Sequence, residues 1–210
     1  MPQFPFKEGE VILFQGASIT DCRRLDDPAG LGFGYVAIVK GHMSAVAPGR
    51  HIEIINRGHG GDTTRELLAR WQADCIDLHP TTLSIDIGLN GIWRQFFEGK
   101  TPVYLPEFIS NYRRLIDLAL KGGVTRLVLM GITPADSDFD HTVNRVCEEY
   151  SAVIRDLARE YNGTFVPTGE ALVAAVKADP PAAKWLPDGV HPTLAGHGVI
   201  AAAWIRSLSL

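Results

Sequence analysis

Val11-Ile12-Leu13-Phe14-Gln15-Gly16-Ala17-Ser18-Ile19-Thr20 decides the fold of this chain. Val11–Gln15 is a short apolar-led run closed by glycine, the pattern of a strand buried on both faces. Four further runs of the same kind lie outward along the chain: Ile52–Asn56, Thr82–Ile87, Arg126–Met130 and the short Thr164–Val166. Helical spacing of apolar residues fills the intervals. Thr63–Leu78 carries Leu67, Leu68, Trp71, Cys75 and Leu78; Tyr104–Lys121 carries Phe108, Tyr112, Leu115, Ile116 and Ala119 and stops at Gly122-Gly123. Asn144–Tyr161 and Ala195–Leu208 read as two more helices. Strands alternating with helices predict an α/β fold, a parallel sheet covered on both faces. Such sheets place their sites in the loops after the strand C-termini.

The chain shows no internal repeat or linker, and its 210 residues suit one domain spanning 1–210. A formal net charge of −4 leaves no footprint for a polyanion, so no nucleic-acid partner is expected. No apolar stretch approaches the roughly 20 residues that span a bilayer, so no membrane partner is expected either. The first ten residues, MPQFPFKEGE, lack a basic region followed by an apolar one, the mark of a secretion signal. Cys22, Cys75 and Cys147 are odd in number and widely spaced, which fits neither a disulfide framework nor a zinc site. A reducing, cytoplasmic location is the expectation.

Chemistry-bearing residues cluster in the loops that the strand pattern singles out. Ser18 follows the first strand behind two small residues, although a serine there also suits capping of the next helix. Asp188 and His191, three residues apart and followed by Pro192, place a carboxylate where it orients an imidazole while the second ring nitrogen faces a nucleophile. Pro192 suits the first turn of the last helix. Gly58-His59-Gly60-Gly61-Asp62-Thr63-Thr64 follows the second strand, and its exposed N–H groups suit an anion or a developing oxyanion. It lacks the Gly-Lys-Ser/Thr end of a phosphate loop, and a turn capped by Asp62 or Thr63 is the plainer alternative. Gly88-Leu89-Asn90-Gly91 follows the third strand; an Asn amide there donates to an oxyanion without adding charge, whereas Asn-Gly is also a good turn. A serine nucleophile, a base and a group that orients it point to hydrolytic acyl transfer through a covalent intermediate. No metal or cofactor is called for. Asp136, Asp138, Asp140 and His141 lack the pattern of a calcium loop and read as a solvated loop ahead of a helix near Thr142.

Together these residues resemble the SGNH, or GDSL-type, hydrolase family. Gly16-Ala17-Ser18-Ile19-Thr20 matches its first block; Asn56–Thr63 is similar to the second; Gly88-Leu89-Asn90 matches the third; Asp188-Gly189-Val190-His191-Pro192 matches the last. The resemblance implies a flavodoxin-like three-layer α/β/α sandwich with a five-stranded parallel sheet. It implies Ser18, Asp188 and His191 as the catalytic residues, with Ser18, Gly61 and Asn90 as the oxyanion hole. Gly32–Ala37, Ile92–Gln95 and Val103–Phe108 resemble the branch of acetylxylan and xylooligosaccharide deacetylases, whose intracellular members lack a signal and often form oligomers. The implied substrate is a short-chain, acetyl ester on a small molecule or oligosaccharide, and the implied assembly is a homo-oligomer. A broader arylesterase, lipase-like enzyme or thioesterase would use the same machinery, and a non-catalytic carbohydrate-binding descendant is an alternative of another class. His59, Trp93 and Arg94 are candidate substrate contacts, Trp93 because an aromatic face suits a pyranose ring. Two positions depart from the family pattern: Ala17 and Gly91 each replace an Asp. Their loss removes carboxylates that would brace the loops holding the site, and activity is expected to persist.

Overall fold

A computed structural model describes residues 4–96 and 99–210. Its strands are β1 (Val11–Gly16), β2 (Glu53–Asn56), β3 (Thr82–Asp86), β4 (Arg126–Met130) and β5 (Thr164–Val166). They form one all-parallel sheet in the order β2-β1-β3-β4-β5. The helices, in chain order, are α1 (Ser18–Asp21), α2 (Tyr35–Val46), α3 (Thr64–Ala69), α4 (Trp71–Asp74), α5 (Leu89–Trp93), α6 (Leu105–Lys121), α7 (Thr142–Glu160), α8 (Thr168–Ala178) and α9 (Leu194–Ser207). The expected five-strand α/β sandwich is therefore present, with each strand within a residue or two of its sequence reading.

Strand alternation builds the two cores. Leu13, Leu83, Ile85, Leu127 and Leu129 face one layer, packed with Trp71 and with Phe108, Leu115 and Ile154 of α6 and α7. Ile12, Phe14, Val128, Met130 and Val166 face the other, packed with Tyr35 and Val39 of α2, Leu172 of α8 and Trp204 of α9. Ser84, buried among this second set, is satisfied there: the Trp204 indole donates to its Oγ at 3.1 Å. The sheet order reverses between β1 and β3, so the crevice of a doubly wound sheet opens at the carboxyl ends of these two strands.

Two readings of the sequence are corrected, and two helices, α2 and α8, are added to it. The helix expected over Thr63–Leu78 breaks at Arg70 into α3, α4 and a single 3-10 turn, Ile76–Leu78. Arg70 turns its guanidinium inward at the break, donating to Asp62, Gln15, Asp74 and the Gly16 carbonyl. Pro192 lies ahead of α9 rather than in its first turn, because Thr193 is the N-cap and its Oγ1 accepts from the Gly196 N–H. Helices α2 and α8 carry no clean apolar stripe; both pack against α9 as well as the sheet layer, which blurs the 3.6-residue period.

Candidate active site

Ser18 is the first residue of α1, and no side chain caps that helix. Its hydroxyl is therefore not spent on the backbone; Ser18 Oγ lies 2.9 Å from His191 Nε2. His191 Nδ1 lies 2.7 Å from Asp188 Oδ2, while the other carboxylate oxygen accepts the backbone N–H groups of Val190, at 3.0 Å, and of His191 itself, at 2.7 Å. Partial burial pushes the Asp188 carboxyl up, but these hydrogen bonds and the nearby imidazole outweigh it and hold the group at about 2. A carboxylate so firmly ionised accepts a hydrogen bond from Nδ1–H, which leaves Nε2 with a lone pair aimed at the serine. The three residues, 173 positions apart at the extremes, thus form one relay. It opens outward: the Asp188 and His191 side chains are 57% and 53% exposed.

The loops after β2 and β3 close on the same crevice. His59 N–H donates to the Gly16 carbonyl at 3.0 Å, tying the Gly58–Asp62 loop to the end of β1. Thr63 and Glu66 form a capping box at the start of α3, so the capping alternative holds for Thr63, and Asp62 is free for other partners. Asp62 is buried between His59 Nδ1 at 3.0 Å and Arg70 Nε at 2.7 Å. Its carbonyl accepts from the Asn90 amide at 2.9 Å. An amide has two N–H hydrogens, so one remains on Asn90 for a substrate. Gly61, at φ +87°, adopts a conformation that favours glycine. Among the described residues, the N–H groups of Gly61 and Ser18 donate to no protein acceptor. Arg94 is engaged within the scaffold: its guanidinium donates to the Gly61 carbonyl at 2.8 Å and to Glu66. His59 presents an exposed ring, and Trp93 is 36% exposed.

The two departures from the family pattern have local causes. A side chain at Gly91 would drive its Cβ to 2.9 Å from Val103, whose N–H donates to the Gly91 carbonyl. Ala17 packs against the apolar layer beneath it. The loops around these two positions are tied by Arg94, Asn90 and Arg70. Asp136 and Asp138 accept backbone N–H groups within their own loop, and the His141 ring caps α7. A cavity of about 590 Å³ lies between α7 and α8, and none of Ser18, Asp188 and His191 lines it.

A GDSL-like lipase/acylhydrolase family model matches residues 14–199, a span that runs from β1 through the Asp188–His191 turn into α9. The chain belongs to this family. The acylhydrolase is 39% identical, over 95% of its length and 94% of the relative's, to an acetylxylan esterase of Geobacillus stearothermophilus. Its fold matches the crystal structure of Axe2, an acetylxylan esterase from the same organism, with a TM-score of 0.90, 36% identity and coverage of 99% and 97% of the two chains. Three similar structures are catalytic mutants of Axe2 in which a serine, an aspartate and a histidine are each replaced by alanine; the aspartate and histidine are three positions apart. A more distant match is LAE5, an alpha/beta hydrolase enzyme from the metagenome of Lake Arreo, with a TM-score of 0.89, 28% identity and 97% coverage of both chains. The acylhydrolase has the SGNH hydrolase fold and is a carboxylic ester hydrolase.

Proposed function

We propose that this acylhydrolase removes acetyl groups from acetylated xylooligosaccharides, with Ser18 as nucleophile, His191 as base and Asp188 as the group that orients it. The observation that carries the reading is the Asp188–His191–Ser18 relay, 2.7 Å and 2.9 Å between successive partners. It uses the residue types, and the aspartate–histidine spacing, of the catalytic mutants made in Axe2. His191 Nε2 takes the hydroxyl proton as Ser18 Oγ attacks the acetyl carbonyl. The oxyanion meets the N–H groups of Ser18 and Gly61 and the remaining Asn90 amide hydrogen. The sugar alcohol leaves with the proton from His191; water, activated by the same nitrogen, then releases acetate from the acetyl-serine.

The openness of the relay suits an ester carried on a chain of sugars, since the alcohol portion extends into solvent. The unpaired Cys22, Cys75 and Cys147 suit a reducing, cytoplasmic location. Leu25, Phe33, Tyr104 and Leu194, all exposed, are apolar surface of the kind that self-association covers. Residues 1–210 act as one domain in this reading.

Acetate release from acetylated xylooligosaccharides, p-nitrophenyl acetate and acetyl-CoA, measured side by side, tests the substrate class. The reading predicts the highest kcat/KM on the acetylated sugar. Equal or higher values on the aryl ester or the thioester would replace it with a broad esterase or a thioesterase.

A further inference from the structure

Asp86, the last residue of β3, is paired with Gly16 in the parallel ladder, two residues ahead of Ser18. Its side chain is buried and accepts a hydrogen bond from Thr20 Oγ1 at 3.2 Å. Thr20 Oγ1 lies 3.0 Å from the buried Tyr35 hydroxyl. Thr20 has one hydroxyl hydrogen, and giving it to the carboxylate makes Tyr35 the donor to Thr20, a chain polarised towards Asp86. A third hydroxyl, that of Tyr112 on α6, is buried in the field of the same carboxylate with no hydrogen-bond partner among the described residues. Thr20 belongs to the helical turn that Ser18 begins. Asn56, at the end of β2, holds this turn from the opposite side by donating to the Thr20 carbonyl at 2.7 Å. The two strands flanking β1 therefore both grip Thr20, one by its backbone and the other by its side chain.

Burial pushes the Asp86 carboxyl up to about 6, with the Thr20 hydrogen bond pulling the other way. The titratable groups facing it are the phenols of Tyr35 from α2 and Tyr112 from α6. Burial, with Asp86's charge adding to it, holds both well above their ordinary range, so Asp86 is the member of this cluster that titrates.

We propose that Asp86 is a positioning residue for the Ser18 turn, acting through Thr20 in its ionised form. The proposal rests on the reading of Ser18 as nucleophile. A protonated carboxyl is itself a donor. The Tyr35–Thr20–Asp86 chain then reverses, Thr20 turning its hydrogen to Tyr35, and the turn that aims Ser18 Oγ at His191 loses the charge-assisted hydrogen bond that fixes it from β3.

The test is the pH profile of kcat and KM on p-nitrophenyl acetate for the wild type, Asp86→Asn, Thr20→Val, Thr20→Ser and Asp86→Asn/Thr20→Val. Asp86→Asn is expected to lower kcat about tenfold at pH 8, with KM within about twofold, since a small misplacement of a reacting group is costly in rate. It is also expected to remove one ionisation from the acid limb, leaving only that of the base. Thr20→Val loses a similar factor, Thr20→Ser recovers most of it, and the double variant is no slower than the slower single variant, as coupled groups require. Should Asp86→Asn not fold, the Thr20 pair carries the same comparison. Wild-type kcat with an unchanged acid limb in Asp86→Asn, or in Thr20→Val if the Asn variant does not fold, overturns the proposal. Ser18→Ala run in parallel separates the two readings: full activity in it overturns both, whereas its inactivity beside wild-type behaviour of the Asp86 and Thr20 variants overturns the positioning role alone.

Discussion

His191 and His197 lie six positions apart, one ahead of α9 and one in its first turn, each beside a side chain with nucleophilic potential, and their chemistry is opposite. His191 Nε2 is 2.9 Å from the Ser18 hydroxyl; His197 Nε2 is 3.4 Å from the Cys22 thiol. The difference lies at the far nitrogen of each ring. His191 Nδ1–H donates to Asp188, so Nε2 is bare and accepts a proton. The backbone N–H of Tyr35 donates to Nδ1 of His197 at 3.2 Å, so Nδ1 is bare and Nε2 carries the hydrogen. His197 thus donates to the sulfur and takes nothing from it. Burial moves both members of that pair away from reactivity: it pushes the Cys22 thiol up, and it drives the His197 imidazole down to about 4, with the nearby His191 adding to the effect. What faces the far nitrogen, an acceptor for His191 and a donor for His197, sets which ring can take a proton from its neighbour.

The largest expected effect breaks the comparison outright. Ser18→Ala lowers kcat on p-nitrophenyl acetate by about a thousandfold or more, because removing one member of a relay idles the rest. Cys22→Ala, measured in the same assay, leaves kcat within about threefold, as expected of a thiol held in its unreactive form. Comparable losses in the two variants would mean that the ring tautomers are assigned wrongly.

Next in size is Asn90→Ala. Loss of one oxyanion donor costs about a hundred- to a thousandfold in kcat. A loss confined to KM would place Asn90 in substrate binding or loop support instead, since its amide also holds the Asp62 carbonyl.

The smallest effect concerns stability and sharpens the contrast between exposed and buried rings. The folded His197 has a lower pKa than its ordinary 6.5. As pH falls below 6.5, the unfolded chain therefore binds the proton before the folded one does, and the stability present above 6.5 is eroded down to about 4. Asp86 acts with the opposite sign, since its raised carboxyl favours the folded state at low pH and loses that contribution as pH rises through about 6. The melting temperature of the wild type should accordingly fall more between pH 6.5 and 4.5 than that of His197→Gln, in which Asp86 is unchanged. Parallel curves would show that His197 does not titrate as described.

Much of this is legible in the sequence, for physical reasons. The inner strands β1, β3 and β4 are buried almost throughout, so their apolar runs stand out, and the carboxyl ends of β1, β2 and β3 mark the loops where Ser18, Gly61 and Asn90 lie. The Asp188–His191 turn is local, and its spacing alone places carboxylate and ring together. What the pattern hides is set by contacts between distant segments. Arg70 breaks a helix because its partners Gln15 and Gly16 belong to β1. Gly91 has no side chain because Val103, beyond α5, packs on it. Asp86 reads as part of a strand, and its link to the Ser18 turn runs through Thr20, 66 residues away. Arg94, which reads as a substrate contact, also donates to the carbonyl of Gly61, a bond between the loops after β2 and β3.

The most direct test is to find where the acetyl group goes. Rapid acid quench of the enzyme turning over p-nitrophenyl acetate, followed by proteolysis and fragment sequencing, locates it to the residue. Ser18 and Cys22 fall in one stretch of chain, so the two candidates are read in the same spectrum. Acetyl on the Ser18 hydroxyl, absent from Ser18→Ala, is the predicted result; acetyl on Cys22, or a Ser18→Ala enzyme that turns over as fast as the parent, would contradict the account.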